Sequence, residues 1–250
     1  MSVTDQVRRY WDDDSEVYDR VPNHHPTDPA EQAAWSAALA DALPPSPADV
    51  LDCGAGTGFL SLMAARLGHR VTAVDVSTRM LERLQDKAAG EGLEVRVVAG
   101  PAEEPPPGPF GAVMERHLLW TLPDPLQALR AWRTVAPGGR LVLVEGLWGR
   151  VDPAERLRAR ARELLSAARG HHGGGHHAPY PVELRTAMPF GEGTTPSQLV
   201  ELATSAGWRA PRLARLRDVE WAATVRLPVP ERLLGTSPRF LLTADAGRAS

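Results

Sequence analysis

A single cysteine, Cys53, occurs among 250 residues. That excludes an intrachain disulfide framework and any site built from two thiolates of one chain. Nor is there an excess of either charge: 28 Lys and Arg against 31 Asp and Glu give a formal net charge of -3 at pH 7. Proteins that bind nucleic acid or an anionic membrane as their main partner usually carry a strong basic excess. Neither is expected here, and a small molecule is the better-matched partner. No apolar run approaches a membrane span, and the polar, Asp-rich residues 1–20 contain nothing like a signal peptide, so the expectation is a cytoplasmic protein with no membrane partner. Internal repeats are absent as well. What remains, 43% hydrophobic and 24% charged residues, is ordinary globular composition in a chain long enough for one large domain with a modest insertion.

Along the chain, residues 3–18 carry apolar positions at loose helical spacing among many acids, which predicts a short, largely exposed helix. Asp28-Pro29 reads as an N-cap followed by Pro at the first helical position, opening an Ala-rich helix that stops at Pro44-Pro45. Short β-type runs then alternate with amphipathic stretches, at 50–53, 71–74, 95–98, 112–114 and 141–144. Such alternation implies a parallel sheet covered on both faces. Ser77 and Asp124-Pro125 cap the intervening helices, and Pro137-Gly138-Gly139 ends the second of them. After Trp148 the alternation lapses. A helix is expected from Asp152-Pro153 through Arg169, with Leu157, Ala161, Leu164 and Ala168 on its apolar side, followed by a Gly/His-rich loop at 170–177. The capping box Thr195-Pro196-Ser197-Gln198 restarts the pattern, and 212–221 and 239–243 are the candidates for the last two strands.

The informative segment is Val50-Leu51-Asp52-Cys53 running into Gly54-Ala55-Gly56-Thr57-Gly58 and then an apolar helix. A glycine loop between strand and helix lets backbone approach a ligand closely and aims unpaired amides at it. The dinucleotide fingerprint G-x-G-x-x-G fails, because Phe59 stands at the third glycine counted from Gly54 and Ser61 at that counted from Gly56. A P-loop fails too, since no Lys-Ser/Thr follows the glycines. At the end of the second strand, Asp75 occupies the place where doubly wound folds put an acid on the two ribose hydroxyls; the bland alternative is a helix cap.

V-L-D-C-G-A-G-T-G at 50–58, A-V-D-V-S at 73–77, R-H-L-L-W-T-L-P-D-P at 116–125 and A-P-G-G-R-L-V-L-V-E at 136–145 together resemble the class I S-adenosylmethionine (SAM)-dependent methyltransferases. Within them the chain is most similar to the ubiquinone/menaquinone-type small-molecule branch, whose N-terminal segment the opening Tyr10-Trp11-Asp12 and Tyr18-Asp19 resemble. The resemblance implies an α/β fold with three layers: a Rossmann-like, seven-stranded, mostly parallel sheet whose last strand is antiparallel. It divides the chain into an N-terminal helical lid at 1–45, a SAM-binding core at 46–147, a substrate-side insertion at 148–193 and the rest of the core at 194–250. SAM is the implied cofactor. Asp52 and Gly54, Ala55, Gly56 and Gly58 would face its methionine part, Asp75 its ribose, and Val76 and Met80 its adenine, with Arg116, Tyr10 and Tyr18 completing the site. Pro101 stands where the family has an acid for the adenine amino group, so that contact falls to the Ala102 backbone or to Glu103.

Methyl transfer from a sulfonium needs positioning and exclusion of water more than a dedicated catalytic group. His117, ending the fourth strand at the sheet's switch point, is the candidate general base; the alternative is that it bonds SAM or orients its loop. Tyr10, Trp11 and Tyr18 are candidates for an aromatic lid over the sulfonium, or else a staple docking the first helix. Glu145, Trp148, Tyr180 and Arg185 join His117 as candidate acceptor contacts. His171, His172, His176 and His177 invite a metal reading, but their Gly173-Gly174-Gly175 spacer gives no preorganisation and no carboxylate or thiol completes a set, so no metal is expected. The expected function is SAM-dependent methylation of O, N or C on a small acceptor, by a monomer or homodimer. A peptide or protein methyltransferase and a non-catalytic SAM-binding protein are the alternatives.

Overall fold

A computed structural model of the chain describes residues 2–21, 24–147, 153–168 and 177–247. Its centre is a seven-stranded sheet in the order β3-β2-β1-β4-β5-β7-β6. The strands are β1 (Asp49–Cys53), β2 (Arg70–Asp75), β3 (Val95–Ala99), β4 (Ala112–Arg116), β5 (Arg140–Gly146), β6 (Arg209–Arg215) and β7 (Arg239–Asp245). The pairs β1·β2, β2·β3, β1·β4 and β4·β5 are parallel, whereas β7 lies antiparallel to both β5 and β6. Successive side chains of a strand point to opposite faces, and this divides the core in two. Leu51, Val113, Leu141, Leu143 and Leu242 pack with Leu129, Trp132, Leu199 and Trp208 on one face. On the other, Val50, Ala112, Met114, Val142 and Leu241 pack with Trp35, Leu39, Leu60 and Met63.

The helices that supply those layers begin where their caps say. Asp28 accepts N–H bonds from Ala30 and Glu31 to start α2 (Pro29–Ala42). Ser77 accepts the Met80 N–H at the head of α4 (Thr78–Gly90), and Asp124 that of Gln127 at α5 (Pro125–Val135). Thr195 and Gln198 form the capping box of α8 (Pro196–Ser205). Between β1 and β2, α3 (Phe59–Arg66) opens without a side-chain cap, directly after Gly58 at φ +92°.

Three segments differ from expectation. The first helix, α1 (Val3–Asp14), is not a largely exposed one: Val7, Tyr10 and Asp14 are buried, because it lies across α4 and the short α7 (Val182–Ala187). Within 212–221 the strand ends at Arg215, and 217 onwards forms α9 (Arg217–Thr224). Leu216, Val219 and Ala222 recur at helical spacing and are buried, the first two in the layer of Trp35 and Leu39. A further turn of helix, α10 (Val229–Leu234), follows. In the insertion, α6 (Pro153–Ala168) turns Leu157 and Leu164 outward, at 73% and 65% exposure, against the apolar side expected for them. Its inner side is polar instead: Arg162 pairs with Glu155 and donates to the carbonyls of Leu234 and Gly235, and Ser237 donates to Glu155 at 2.9 Å. The N-terminal residues also divide by role, α1 resting over the strand ends while α2 forms part of a core layer through Trp35 and Leu39.

One buried contact ties this scaffold to the loop after β3. The indole N–H of Trp132, fully buried on α5, donates to the Ala102 carbonyl at 2.7 Å. Trp132→Phe leaves that carbonyl unpaired and a gap beside it, which is expected to lower unfolding free energy by about 2–3 kcal/mol. Urea denaturation of the two proteins measures it.

Candidate functional site

The glycine loop is shaped by its neighbours. Gly54 and Gly56 adopt φ of +65° and +52°, a left-handed region that side chains other than glycine rarely take. A Cβ on Gly54 would meet Leu118 at 2.6 Å, whereas one on Gly56 would meet nothing nearer than Tyr18 at 4.0 Å. The space above Gly56 is thus left open by the protein itself. Asp75 fixes the loop's position: one carboxylate oxygen accepts the Gly56 N–H at 2.8 Å and the other the Ser77 N–H at 2.8 Å.

From this loop a cavity of about 90 Å³, open to solvent, runs along the carboxyl ends of β2, β1 and β4. Its floor and sides include Gly54, Gly56, Asp75, Val76, Met80, Pro101, Ala102, Glu103, Arg116 and His117, and Trp11 and Tyr18 line it from above. Asp52 and Ala55 line a smaller recess beside it, shared with Tyr18 and Arg116. Since Trp132 occupies the Ala102 carbonyl, the Ala102 N–H and the Glu103 carboxyl are the polar groups left for a ligand at that end. Gly58 does not line the cavity; a Cβ there would strike Leu84 at 2.6 Å, so this glycine serves the packing of α3 against α4.

The roof is pinned by three aspartates of the N-terminal segment. Asp12 accepts the Ser77 hydroxyl at 2.6 Å. Asp19 accepts the Thr57 hydroxyl at 2.6 Å and pairs with Lys87 at 2.6 Å, while Lys87 also donates to the Thr57 carbonyl. Asp14, fully buried, accepts from both the backbone N–H of His177 at 2.7 Å and its Nδ1 at 3.0 Å. Tyr10, expected at the cofactor, is instead a roof beam: its hydroxyl donates to the Ala178 carbonyl at 2.8 Å, and its ring meets Trp11, His177 and Tyr180 at 4.7–5.0 Å. Tyr180 in turn packs on Trp120 at 4.8 Å. Arg185 pairs with Glu192 at 3.3 Å and does not line the cavity, because α7 carries it outward. Trp148 and His171, His172 and His176 lie outside the described residues, and among the described residues no group of three His, Cys, Asp or Glu side chains is arranged to hold a metal.

Electrostatics mark the same edge of the sheet. Burial pushes the Asp52 carboxyl up to about 7 and that of Asp75 up to about 6, although each accepts hydrogen bonds, Asp52 from the Ser61 hydroxyl at 2.6 Å. Arg116 lies over the Phe59 ring at 3.9 Å, and burial lowers its pKa. His117 sits at φ +56°, an uncommon conformation for a side-chain-bearing residue. It is held there by its own N–H on the Val144 carbonyl and by Nδ1 at 3.2 Å from Glu145, a buried acid of β5. Facing a carboxylate, Nδ1 carries the proton and donates it, leaving Nε2 as the basic nitrogen of a residue that lines the cavity. What sequence reasoning missed is the latching: Asp14 and Lys87 lie in no motif, Asp12, Asp19 and Thr57 stand in motifs that say nothing of these bonds, and their partners lie far away in sequence.

Sheet order, glycine loop, strand-terminal Asp75 and a cavity over the switch point make up the Rossmann-like architecture that the sequence leads one to expect. Comparison with known proteins agrees. Residues 51–143 match the family model described as "Methyltransferase domain", a stretch that includes the glycine loop, Asp75, His117 and the first part of β5. Over 98 residues it is 37% identical to a "Ubiquinone biosynthesis O-methyltransferase" of Caulobacter sp. strain K31, covering 38% of this chain and 39% of that protein. The same description applies to a Xanthomonas axonopodis pv. citri protein, 40% identical over 106 residues, covering 40% and 44%. The chain thus spans about two fifths of the length of these curated relatives. Among solved structures, geranyl diphosphate methyltransferase in complex with GPP and sinefungin superposes with a TM-score of 0.62 at 16% identity, over 98% of this chain and 99% of that one. A SAM-dependent methyltransferase from Methanosarcina mazei gives 0.56 at 21%, over 85% and 98%. At such identities these two speak for the fold. Among the described residues no helix is long and apolar enough to cross a membrane.

The raised Asp52 carboxyl generates a stability prediction. Its folded pKa of about 7 lies above the unfolded value, so folding takes up a proton between roughly pH 4 and 7 and the ligand-free protein loses stability as pH rises through that range. Asp52→Asn keeps an acceptor for Ser61 without the charge. The variant is expected to melt higher than wild type at pH 8, with the difference shrinking toward pH 5, in thermal denaturation followed by circular dichroism.

Proposed function

We propose that this chain is a SAM-dependent methyltransferase that methylates an oxygen of a small acceptor. The observation that carries the reading is one continuous cavity with Asp75 and the open space above Gly56 at one side and His117, backed by the buried Glu145, at the other. The residues present fit SAM. Asp75 is already oriented by two backbone amides and accepts ribose hydroxyls through its remaining lone pairs. Val76 and Met80 offer an apolar wall for adenine, and the Ala102 N–H and Glu103 offer polar contacts to its edge. Asp52 and Asp75, both disfavoured as anions by burial, are matched by a ligand that brings positive charge.

When bound, SAM supplies a methyl group on a positively charged sulfur. The protein's part is to hold an acceptor hydroxyl in line with it, take up its proton and keep water out. His117 Nε2 accepts that proton; Glu145, bonded to Nδ1, steadies the resulting imidazolium and fixes the ring. Trp11 and Tyr18 line the site from above, backed by Tyr10 from the same helix as Trp11 and by Trp120 and Tyr180 from two other parts of the chain. The O-methyltransferase description of the relatives supports oxygen as the acceptor atom. The insertion supplies His177 and Tyr180 to the roof, which supports a role for it in choosing the acceptor.

Binding and chemistry separate experimentally. Asp75→Ala and Gly56→Val are expected to weaken SAM or S-adenosylhomocysteine binding by calorimetry, the first by loss of a charge-assisted contact worth about 1.5–3 kcal/mol. Because Asp75 is ionised above about pH 6 and Asp52 above about pH 7, affinity in the wild type should be steady above about pH 7 and fall as pH drops through that range, and Asp75→Asn removes the part of the slope centred near pH 6. His117→Gln should leave binding intact and lower transfer of labelled methyl to phenolic or alcoholic acceptors by about 100-fold. Full transfer by His117→Gln removes the general base, and unaltered affinity in both Asp75→Ala and Gly56→Val removes the site.

A further inference from the structure

Beneath His117 lies a second acid for which the reaction above has no use. Glu115, on β4 opposite Leu143, and Glu145, two residues beyond Leu143 on β5, are diagonal neighbours on one face of the sheet, the face of the fully buried Val113, Leu141 and Leu143. Glu115 is 0% exposed and Glu145 1%. Each has one oxygen on the loop that follows β4: Glu145 faces His117 Nδ1, and Glu115 accepts the Leu118 N–H at 2.8 Å. The second oxygen of each, Oε1 in both cases, is buried without a hydrogen-bond partner. Two dry carboxylates with orphan oxygens repel one another and each lacks a donor. A single proton between them relieves both faults, since a protonated carboxyl is a donor and halves the charge of the pair.

We propose that Glu115 is a neutral carboxylic acid that positions the general base. Its proton supplies the donor that the Glu145 side otherwise lacks, so that Glu145 alone carries the charge seen by His117. Two observations agree on which of the two holds it. Glu145 faces the His117 ring, whereas Glu115 has only backbone amides beside it, those of Leu118 and Val144. The acids around Glu115 are Glu145 and Asp52, which favour its neutral form, and burial pushes its carboxyl well above the ordinary range. The left-handed turn at His117 is held from below by this pair, one acid on the ring and the other on the next amide. When the acceptor proton moves to His117 Nε2, the imidazolium rests on one negative charge and the Glu115 proton stays where it was, so the pair neither gains nor loses a proton in the cycle. This inference rests on the methyltransferase reading only for its consequence for turnover.

Infrared spectroscopy of the protein near neutral pH is therefore expected to show a protonated-carboxyl C=O stretch that resists exchange of bulk buffer from pH 6 to 8 and vanishes in Glu115→Gln. In kinetics, Glu115→Leu, of similar volume but unable to hold the Leu118 amide, should lower kcat by about 100-fold with KM for SAM unchanged. Glu115→Gln, a neutral group with the same acceptor, should recover most of that loss. Should Glu115→Leu fail to fold, the band and the Gln variant decide alone. Absence of the band, its survival in Glu115→Gln, or a Gln variant as impaired as the Leu one overturns the proposal. If instead the band behaves as expected while His117→Gln methylates at full rate, the proton is where it is placed here and the general-base reading is what fails.

Discussion

The carboxylate of Asp75 joins three pieces of chain: it ends β2, takes the Gly56 amide from the loop after β1 and the Ser77 amide at the head of α4. Remove those two bonds and the glycine loop has no fixed height relative to the second strand, so the open space above Gly56 loses its shape. Ser77 extends the same chain of contacts, capping α4 through its Oγ while donating to Asp12 in the roof. Floor, adenine wall and roof thus share one set of short, partly buried hydrogen bonds, and a ligand on Asp75 touches the centre of it.

The sheet edge above this network is unusually acidic for a protein interior. Asp75, Asp52, Glu115 and Glu145 stand at or near the carboxyl ends of four adjacent strands, β2, β1, β4 and β5, all of them nearly or fully buried. Such a row costs stability when it is charged and empty. It is partly neutralised by its own groups, through Ser61, backbone amides and His117, and it remains matched to a cationic ligand. That arrangement trades stability of the empty protein for a field aimed where positive charge must sit.

How much of this the sequence disclosed follows from the range of each interaction. The five core strands were legible because each is a short apolar run bounded by turn residues, and the helix starts because a cap is a contact of two or three residues. Past Arg215 the reading slipped: only one residue separates β6 from α9, so a strand expected to run to Trp221 is half helix, and the helical spacing of Leu216, Val219 and Ala222 was overlooked. Leu157 and Leu164 fit a helical stripe but face outward, since an ion pair rather than apolar area decides which side of α6 turns in. At the site, Asp75, Val76, Met80, Arg116 and His117, named from motif position, all line one cavity. The His117–Glu145 bond was not legible, because it needs the register of β4 on β5, and the pairing of Asp14 with His177 spans 163 residues.

That last separation has a consequence for the order in which the protein comes into being. On a ribosome α1 emerges ahead of the sheet, with Val7 and Tyr10 on a face that is buried only in the finished molecule. The β1–β5 floor can assemble as its strands appear, but His177 and Ala178, which hold Asp14 and Tyr10, are translated 163 and 168 residues later. At typical synthesis rates that is a delay of roughly 10–30 s. Throughout it the nascent chain has a ligand floor with no fastened roof, and an amphipathic N-terminus free to find other apolar surfaces. Assembly of this fold is therefore vectorial in its core and circular in its closure, a helix made ahead of the sheet being among the last to be secured.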